Sequence, residues 1–220
     1  MTIINTRYRF VFIHIPKCAG TSISSVYSGL SGPLDLELGG TPFGERIQKA
    51  YMERYRLHKH STIMQVRKAL APYAGAPWFV FSFVREPVER VRSAYRFLKS
   101  WLPRSGHPDQ SLFRNFSSAE EMFLSGYRAD AINRMLYPQV TWLTDGNGKL
   151  DVDFVGSVDA AATGIAEINR RLGIGITADL PQLNRGNGND DGRDEQFSRT
   201  CLDAIRDYYR DDYETFKFET

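Results

Sequence analysis

The feature of the sequence that most constrains the fold is a short apolar run that recurs along the chain. The first run is FVFIHI at residues 10–15, and WFVFSFV at 78–84 and VDFVGSV at 152–158 have a similar composition. Continuous runs of β-branched and aromatic residues are typical of strands that are buried on both faces, as in parallel sheets. The sequence therefore predicts buried parallel strands at these positions.

Segments with helical spacing separate and follow these runs. They cover residues 20–30, 62–71, 87–100, 118–136, 159–172 and 195–209. Pro87 suits the first turn of one helix, and Ser118 with Glu121 has the pattern of a capping box before another. Strands that alternate with helices favour an α/β fold with a central parallel sheet flanked by helices. Residues 28–60 and 101–117 are predicted to be irregular.

Length and charge exclude several classes of protein. A chain of 220 residues is long enough for one sizeable core, so we expect a single domain over residues 1–220. Its 28 Lys and Arg residues nearly balance 26 Asp and Glu residues. This balance argues against a nucleic-acid partner, whose binding needs a dense basic surface. If the protein binds anions, it must therefore do so at a small site formed by a few residues.

Cysteine content and hydropathy indicate the compartment. Cys18 and Cys201 are the two cysteines, and their spacing suggests neither a disulfide framework nor a metal site. The apolar run near the amino terminus is far shorter than the roughly 20 residues that cross a bilayer. We therefore expect a soluble, cytoplasmic protein with no integral membrane segment and no metal.

The first motif is HIPKCAGTS at residues 14–22, which follows the first apolar run. A strand, a tight loop with Gly20 and a helix start bring free N–H groups and the positive end of a helix dipole together. Such a point binds anions, most often phosphate. Lys17 adds a positive charge, and the hydroxyl groups of Thr21 and Ser22 can donate to a phosphate oxygen. The motif predicts a site for a phosphate or sulfate ester.

Two familiar phosphate loops do not match this motif. In the Walker A loop, G-x-x-x-x-G-K-[ST], the lysine follows the second glycine, whereas Lys17 precedes Gly20. A cysteine phosphatase needs an arginine six residues after its cysteine, and Ser24 stands at that distance from Cys18. A nucleoside triphosphatase and a cysteine phosphatase are both disfavoured.

The second motif is FSFVREPVERVRSAYRFL at residues 81–98. Arg85 follows the second apolar run, and Ser93 lies about two helical turns later, so both can reach one anion at the edge of the sheet. The guanidinium group of arginine donates two parallel hydrogen bonds to a phosphate. The alternative for Arg85 is an ion pair with Glu86 or Glu89. Two anion-binding motifs after two parallel strands indicate a ligand with two separated anionic groups.

Together the two motifs resemble the 5′-phosphosulfate and 3′-phosphate motifs of sulfotransferases that use 3′-phosphoadenosine 5′-phosphosulfate (PAPS). The chain is most similar to the branch with carbohydrate and heparan sulfate 2-O-sulfotransferases and their bacterial relatives. The likeness continues in order through QVTWL at 139–143, DFVGSVD at 153–159, LPQLNRG at 180–186 and YYRDDYETF at 208–216. The resemblance implies a three-layer fold like that of P-loop nucleoside triphosphatases.

The resemblance also implies the roles of individual residues. The residues that would cradle the 5′-phosphosulfate are Lys17, Ala19, Gly20, Thr21 and Ser22. Arg85 and Ser93 would bind the 3′-phosphate. Asn184 and Arg185 would close over the nucleotide. The sequence departs from the family pattern at two positions. Cys18 stands where threonine is usual, and Glu86 stands where aspartate or asparagine is usual.

Sulfuryl transfer also needs a base, and histidine titrates in the right range. His14 lies within the first strand, where we expect a packed side chain, and His107 lies in a polar loop. A histidine near the position of His60 is the base in the 2-O-sulfotransferase branch, so the resemblance favours His60. His58 and then Glu53 are the alternatives. Lys17 would stabilise the charge that develops on the leaving phosphate.

These features together predict a PAPS-dependent sulfotransferase that moves a sulfuryl group from PAPS to an acceptor hydroxyl by in-line transfer. The acceptor implied by the resemblance is a saccharide. One alternative is a nucleotide or small-molecule kinase. Another is a non-catalytic module that binds PAPS or its desulfated product, 3′-phosphoadenosine 5′-phosphate (PAP).

Overall fold

The structure is a computed structural model that describes residues 1–73, 75, 77–132, 134–176 and 196–219. The chain divides into two compact units. The first comprises Met1–Val84 and Gln139–Leu183, and the second comprises Arg85–Pro138 and Asn184–Thr220. The single domain expected over residues 1–220 stays a prediction.

The described residues form a mixed α/β fold. Its strands are β1 (Thr2–Asn5), β2 (Phe10–Ile13), β3 (Leu36–Leu38), β4 (Phe79–Val84) and β5 (Phe154–Ser157). Its α-helices are α1 (Gly20–Ser28), α2 (Pro42–Tyr55), α3 (Ile63–Leu70), α4 (Pro87–Ser105), α5 (Gln110–Phe113), α6 (Ala119–Leu124), α7 (Val140–Leu143), α8 (Ala161–Leu172), α9 (Arg199–Tyr208) and α10 (Arg210–Phe216). All five strands belong to the first unit.

The first unit is built on one open sheet with the strand order β3-β1-β2-β4-β5. The predicted strands β2, β4 and β5 are its parallel part, with β5 at the edge, Ile13 opposite Ser82 and Val84 opposite Ser157. The sheet is not parallel throughout, because β1 runs antiparallel to both β2 and β3. A short turn over residues 6–9 joins β1 to β2, and a connection of this length permits only antiparallel pairing.

Both faces of β2 and β4 are buried, as their continuous apolar sequence predicts. Phe10 and Phe12 pack in a core cluster with residues of α1 and α8, including Tyr27 and Ile165. The residues that alternate with them in β2 and β4 point to the opposite face and are also buried: Val11, Ile13, Val80, Ser82 and Val84. This burial fixes the carboxyl ends of β2 and β4 side by side, where the loop to α1 begins.

The second unit is helical and is organised around α4. The apolar stripe Val91, Tyr95, Leu98 and Leu102 of α4 packs in one core cluster with residues of α6 and α9. Arg90 is fully buried in this unit. Its guanidinium group donates to the carbonyl oxygens of Met135 at 2.8 Å and Tyr137 at 2.7 Å. These hydrogen bonds fix the backbone between α6 and α7, where the described residues contain no helix.

Several predicted boundaries were wrong. Residues 28–60 are not irregular, because they contain β3 and the 14-residue helix α2. Within 101–117, α4 continues through Pro103 to Ser105 and α5 follows. The helix predicted over 118–136 ends at Leu124, shortly before Gly126 with a φ of +83°. Among the described residues, no helix combines the length and the apolar character that crossing a membrane requires.

Candidate active site

The loop between β2 and α1 has an unusual backbone. Lys17 has a φ of +67° and Ala19 has a φ of +52°, so two residues with side chains adopt the left-handed conformation on either side of Cys18. Each such residue carries a conformational cost of order 1–3 kcal/mol, and strain of this kind clusters at functional sites. Left-handed residues in a loop can turn successive N–H groups towards one point and form a concave nest that binds anions.

The start of α1 adds further N–H groups to this loop. The first helical hydrogen bond runs from the N–H of Ile23 to the carbonyl oxygen of Ala19 at 3.0 Å. The N–H groups of Gly20, Thr21 and Ser22 therefore precede the hydrogen-bonded ladder of α1. No side chain caps this end of the helix. The loop and the helix start together form a site suited to a phosphate or sulfate group.

His14 lies directly beneath this loop. A Cβ atom added to Gly20 would lie 1.8 Å from Nε2 and 1.9 Å from Cδ2 of His14, so the imidazole ring fills the space that any larger side chain at Gly20 would need. The ring also stacks on Phe12. The expectation that His14 is a packed side chain is confirmed.

His60 is held next to His14 in the first unit. Its ring centroid is 4.4 Å from that of His14, and its Nδ1 atom lies 2.9 Å from the carbonyl oxygen of His14. Because a carbonyl oxygen only accepts hydrogen bonds, Nδ1 of His60 carries the proton and Nε2 carries the lone pair. The indole N–H of Trp142 donates to the carbonyl oxygen of His60 at 3.0 Å and fixes its backbone.

His58 has the opposite arrangement of nitrogen atoms. Its Nδ1 atom accepts the backbone N–H of His60 at 3.2 Å, so its lone pair at Nδ1 is already used. In a neutral His58 the proton is then on Nε2. His60 is thus the better placed of the two to accept a proton through Nε2.

Both contacting histidines are neutral near pH 7. Burial lowers the pKa of His60 well below its ordinary value of 6.5, and the nearby positive charge of Lys59 lowers it further. Burial also lowers the pKa of His14, with additional repulsion from His60, Lys59 and Lys17. A neutral His60 is in the protonation state that a general base requires.

The second motif lies in the second unit, where α4 begins. Arg85 is half-buried and directly follows Val84, the last residue of β4. Glu86 caps α4, because its Oε2 atom accepts the N–H of Glu89 at 2.8 Å, and its Oε1 atom accepts the hydroxyl group of Tyr213 at 2.7 Å. The longer glutamate side chain at this position therefore still caps the helix. Ser93 is half-buried on α4.

Comparison with known proteins decides the family. The sequence model described as "Sulfotransferase family" matches residues 1–219. The chain belongs to the sulfotransferase family. Human carbohydrate sulfotransferase 14 is 32% identical over 94 residues, which are 43% of this chain and 22% of that protein. The chain thus aligns with about a fifth of the length of this curated relative. No solved structure matches the chain significantly.

The structure of this sulfotransferase-family chain brings together part of the predicted site. Lys17, His60 and the loop residues Ala19, Gly20, Thr21 and Ser22 lie in the first unit. Arg85 and Ser93 lie in the second. Asn184 and Arg185 fall outside the described residues. Within the described residues, no cluster of three or more His, Cys, Asp or Glu side chains is suited to a metal ion.

Sequence reasoning missed one contact that holds the sulfotransferase loop. The thiol group of Cys18 donates to Oε1 of Gln139 at 3.1 Å, and both side chains are buried. Cys18 therefore uses its side chain as well as its backbone, although threonine is usual there. Gln139 begins the stretch QVTWL, so the motif was visible in the sequence, but its contact with a residue 121 positions away was not.

Proposed function

We propose that this protein transfers a sulfuryl group from PAPS to a hydroxyl group of a carbohydrate. The observation that carries the proposal is the β2–α1 loop, where two left-handed residues, uncapped amides and Lys17 meet in a sulfotransferase-family chain. The carbohydrate acceptor is supported by the name of the relative, carbohydrate sulfotransferase 14. We further propose that both units act as one domain of P-loop-like, three-layer architecture.

The loop is proposed to hold the 5′-phosphosulfate of the donor. The N–H groups from Ala19 to Ser22 would donate to its oxygen atoms, and the exposed hydroxyl group of Thr21 would add a further donor. Lys17 would lie against the oxygen that bridges phosphorus and sulfur. As the S–O bond breaks, negative charge grows on this oxygen, and the ammonium group stabilises it.

His60 is proposed to remove the proton from the acceptor hydroxyl. The acceptor oxygen forms a bond to sulfur, the bond from sulfur to the bridging oxygen breaks, and the hydroxyl proton passes to Nε2 of His60. The hydrogen bond from Nδ1 to the carbonyl oxygen of His14 keeps the lone pair on Nε2 and stabilises the imidazolium that forms. This contact has the role that an orienting carboxylate has in hydrolase triads.

The second motif is proposed to bind the 3′-phosphate. Arg85 would donate two hydrogen bonds to this group, and Ser93 one more. Both motifs follow neighbouring parallel strands, since Arg85 comes directly after β4, and the loop with Lys17 comes after β2. Asn184 and Arg185 are proposed, from family resemblance, to close over the nucleotide.

Calorimetric titration with PAP tests the nucleotide class, with ATP and 5′-AMP as controls and without magnesium. The expected result is micromolar binding of PAP and much weaker binding of the controls. A preference for ATP would instead support a kinase. Incubation with PAPS and a panel of oligosaccharides then tests transfer, with PAP release as the readout. PAP binding without transfer to any saccharide would contradict the proposed acceptor class, and a non-catalytic module would then remain.

A further inference from the structure

One residue contacts both the proposed donor loop and the proposed base, and the chemistry above gives its side chain no role. The ring of His14 fills the space next to Gly20, the first residue of α1. The same ring contacts the ring of His60, and the His14 carbonyl oxygen accepts the Nδ1 proton of His60. His14 thus bridges two groups that must act on the same donor and acceptor.

The strain of the loop indicates what the His14 ring does. Two left-handed residues with side chains persist only when their surroundings hold them in place. One of them, Ala19, immediately precedes Gly20, where the imidazole ring of His14 occupies the position that a Cβ atom would take. Because Gly20 has no side chain, the ring reaches the backbone itself and can set the position of the first N–H groups of α1.

We infer that His14 is a positioning residue that holds the phosphosulfate loop and the His60 base at a fixed separation. This inference rests on the proposed function. The ring supports the loop through Gly20, and the carbonyl oxygen orients His60. Movement of this one residue would therefore misplace the donor and the base together, and misplacement of about 1 Å costs on the order of a hundredfold in rate.

A neutral His14 fits this role. The titratable and charged groups that face the two histidines are the backbone nitrogen of Met1 and the side chains of Lys17, Lys59 and His58. Burial is the main cause that lowers the pKa of His14, and the lysine side chains lower it further. When His60 takes the acceptor proton, a neutral neighbour does not repel the new positive charge.

The first test exchanges volume between His14 and Gly20 and measures PAP affinity. Gly20→Ala should weaken PAP binding by about tenfold or more, because the new methyl group displaces the strained loop. His14→Ala should also weaken it by about tenfold, because the loop loses its support. In the double variant the new methyl group enters the space that the His14 ring leaves. The fold-loss of PAP affinity in the double variant should therefore be smaller than the product of the fold-losses in the two single variants. His107→Ala, a histidine in the second unit, is the control and should bind PAP normally.

The second test is the pH dependence of transfer. His14→Ala admits water to His60, which weakens the burial that lowers the pKa of His60. That pKa should rise towards 6.5, so the acid limb of the rate profile should move to higher pH than in the wild type. His14→Gln, which keeps a planar polar group next to Gly20, should restore part of the affinity. If His14→Ala does not fold, as judged by thermal unfolding, the PAP affinity and the pH profile of His14→Gln are compared with those of His107→Gln.

The outcomes separate this inference from the proposed function. Failure of the wild-type protein to bind PAP would overturn both. Normal PAP binding by the wild type and by every His14 variant, with an unshifted pH profile, would overturn the inference alone. Losses that simply multiply in the double variant would also contradict it, because the two residues would then act independently.

Discussion

Two neighbouring histidines differ in the nitrogen atom that they leave for chemistry. His60 donates from Nδ1 to a carbonyl oxygen, whereas His58 accepts a backbone N–H at Nδ1. His60→Ala should therefore lower kcat by about 10²–10⁴ and leave PAP affinity unchanged. His58→Ala removes one neutral hydrogen bond and should cost far less. Steady-state kinetics with both variants tests which histidine is the base. A larger loss of kcat in His58→Ala than in His60→Ala would assign that role to His58.

A buried hydroxyl group offers a test of stability in the first unit. Tyr27 is fully buried, and its hydroxyl oxygen has no hydrogen-bond partner among the described residues. Leaving a buried donor unsatisfied costs about 1–3 kcal/mol. Tyr27→Phe should therefore raise the free energy of unfolding by about 1 kcal/mol, measured by urea denaturation.

A matched tyrosine in the second unit supplies the control for this prediction. Tyr209 is also fully buried, but its hydroxyl group donates to the carbonyl oxygen of Leu136 at 2.6 Å. Tyr209→Phe should lower the free energy of unfolding by about 1 kcal/mol, because it leaves that carbonyl oxygen without its donor. The same sign of change in both variants would show that loss of a hydroxyl, rather than its hydrogen bonding, governs the effect.

The start of α4 depends on one side chain. Glu86 accepts both the N–H of Glu89 and the hydroxyl group of Tyr213. Glu86→Ala removes a helix cap and a second hydrogen bond, so we expect a loss of about 1–2 kcal/mol in unfolding free energy. Glu89→Ala removes an ion pair with Arg92 in which the Glu89 side chain is 46% exposed. That change should cost less than about 1 kcal/mol. Equal losses in thermal or urea unfolding would exclude a dominant role for the cap.

Strands were predictable from sequence where they form a run of apolar residues. The strands β2 and β4 are recognisable as apolar runs because both of their faces are buried. β5 was also predicted from its apolar run, although it lies at the edge of the sheet and is mostly half-buried. β1 is equally buried but was missed, because its sequence TIIN contains only two apolar residues. β3 has three residues, which is too short to reveal a pattern. Only Gly44 of α2 is buried, so this helix has no apolar stripe to reveal it. Its visible signals are the Thr41 cap and Pro42 at the helix start.

Contacts of the candidate site were less predictable than its motifs. The loop and the motif with Arg85 follow from strand ends, glycine and basic residues. The support of Gly20 by His14 depends on the absence of a side chain, which a sequence shows only as one more glycine. The contact of Cys18 with Gln139 joins residues far apart in sequence. The predicted helix ends at Leu124, and the carbonyl oxygens of Met135 and Tyr137 further along accept hydrogen bonds from Arg90 instead.

The two proposed nucleotide motifs belong to different units of the chain, so ligands that differ by one phosphate can test whether the units act as one domain. Arg85→Ala should weaken PAP binding by about 10- to 100-fold, because a charge-assisted hydrogen bond contributes about 1.5–3 kcal/mol. Binding of adenosine 5′-phosphosulfate, which lacks the 3′-phosphate, should stay near the wild-type value.

Lys17→Ala should mainly lower kcat for transfer from PAPS, because the ammonium group acts on charge that grows as the S–O bond breaks.

Calorimetry with PAP and adenosine 5′-phosphosulfate provides the measurement for Arg85→Ala, and single-turnover kinetics provides it for Lys17→Ala. Selective loss of PAP binding in Arg85→Ala would mean that a residue of the second unit contributes to the same binding event as the loop of the first. Equal weakening of both ligands would instead remove Arg85 from the 3′-phosphate site. An unchanged affinity for both would leave the first unit to bind the nucleotide without this residue, and would contradict the proposal that the two motifs hold the two ends of one donor.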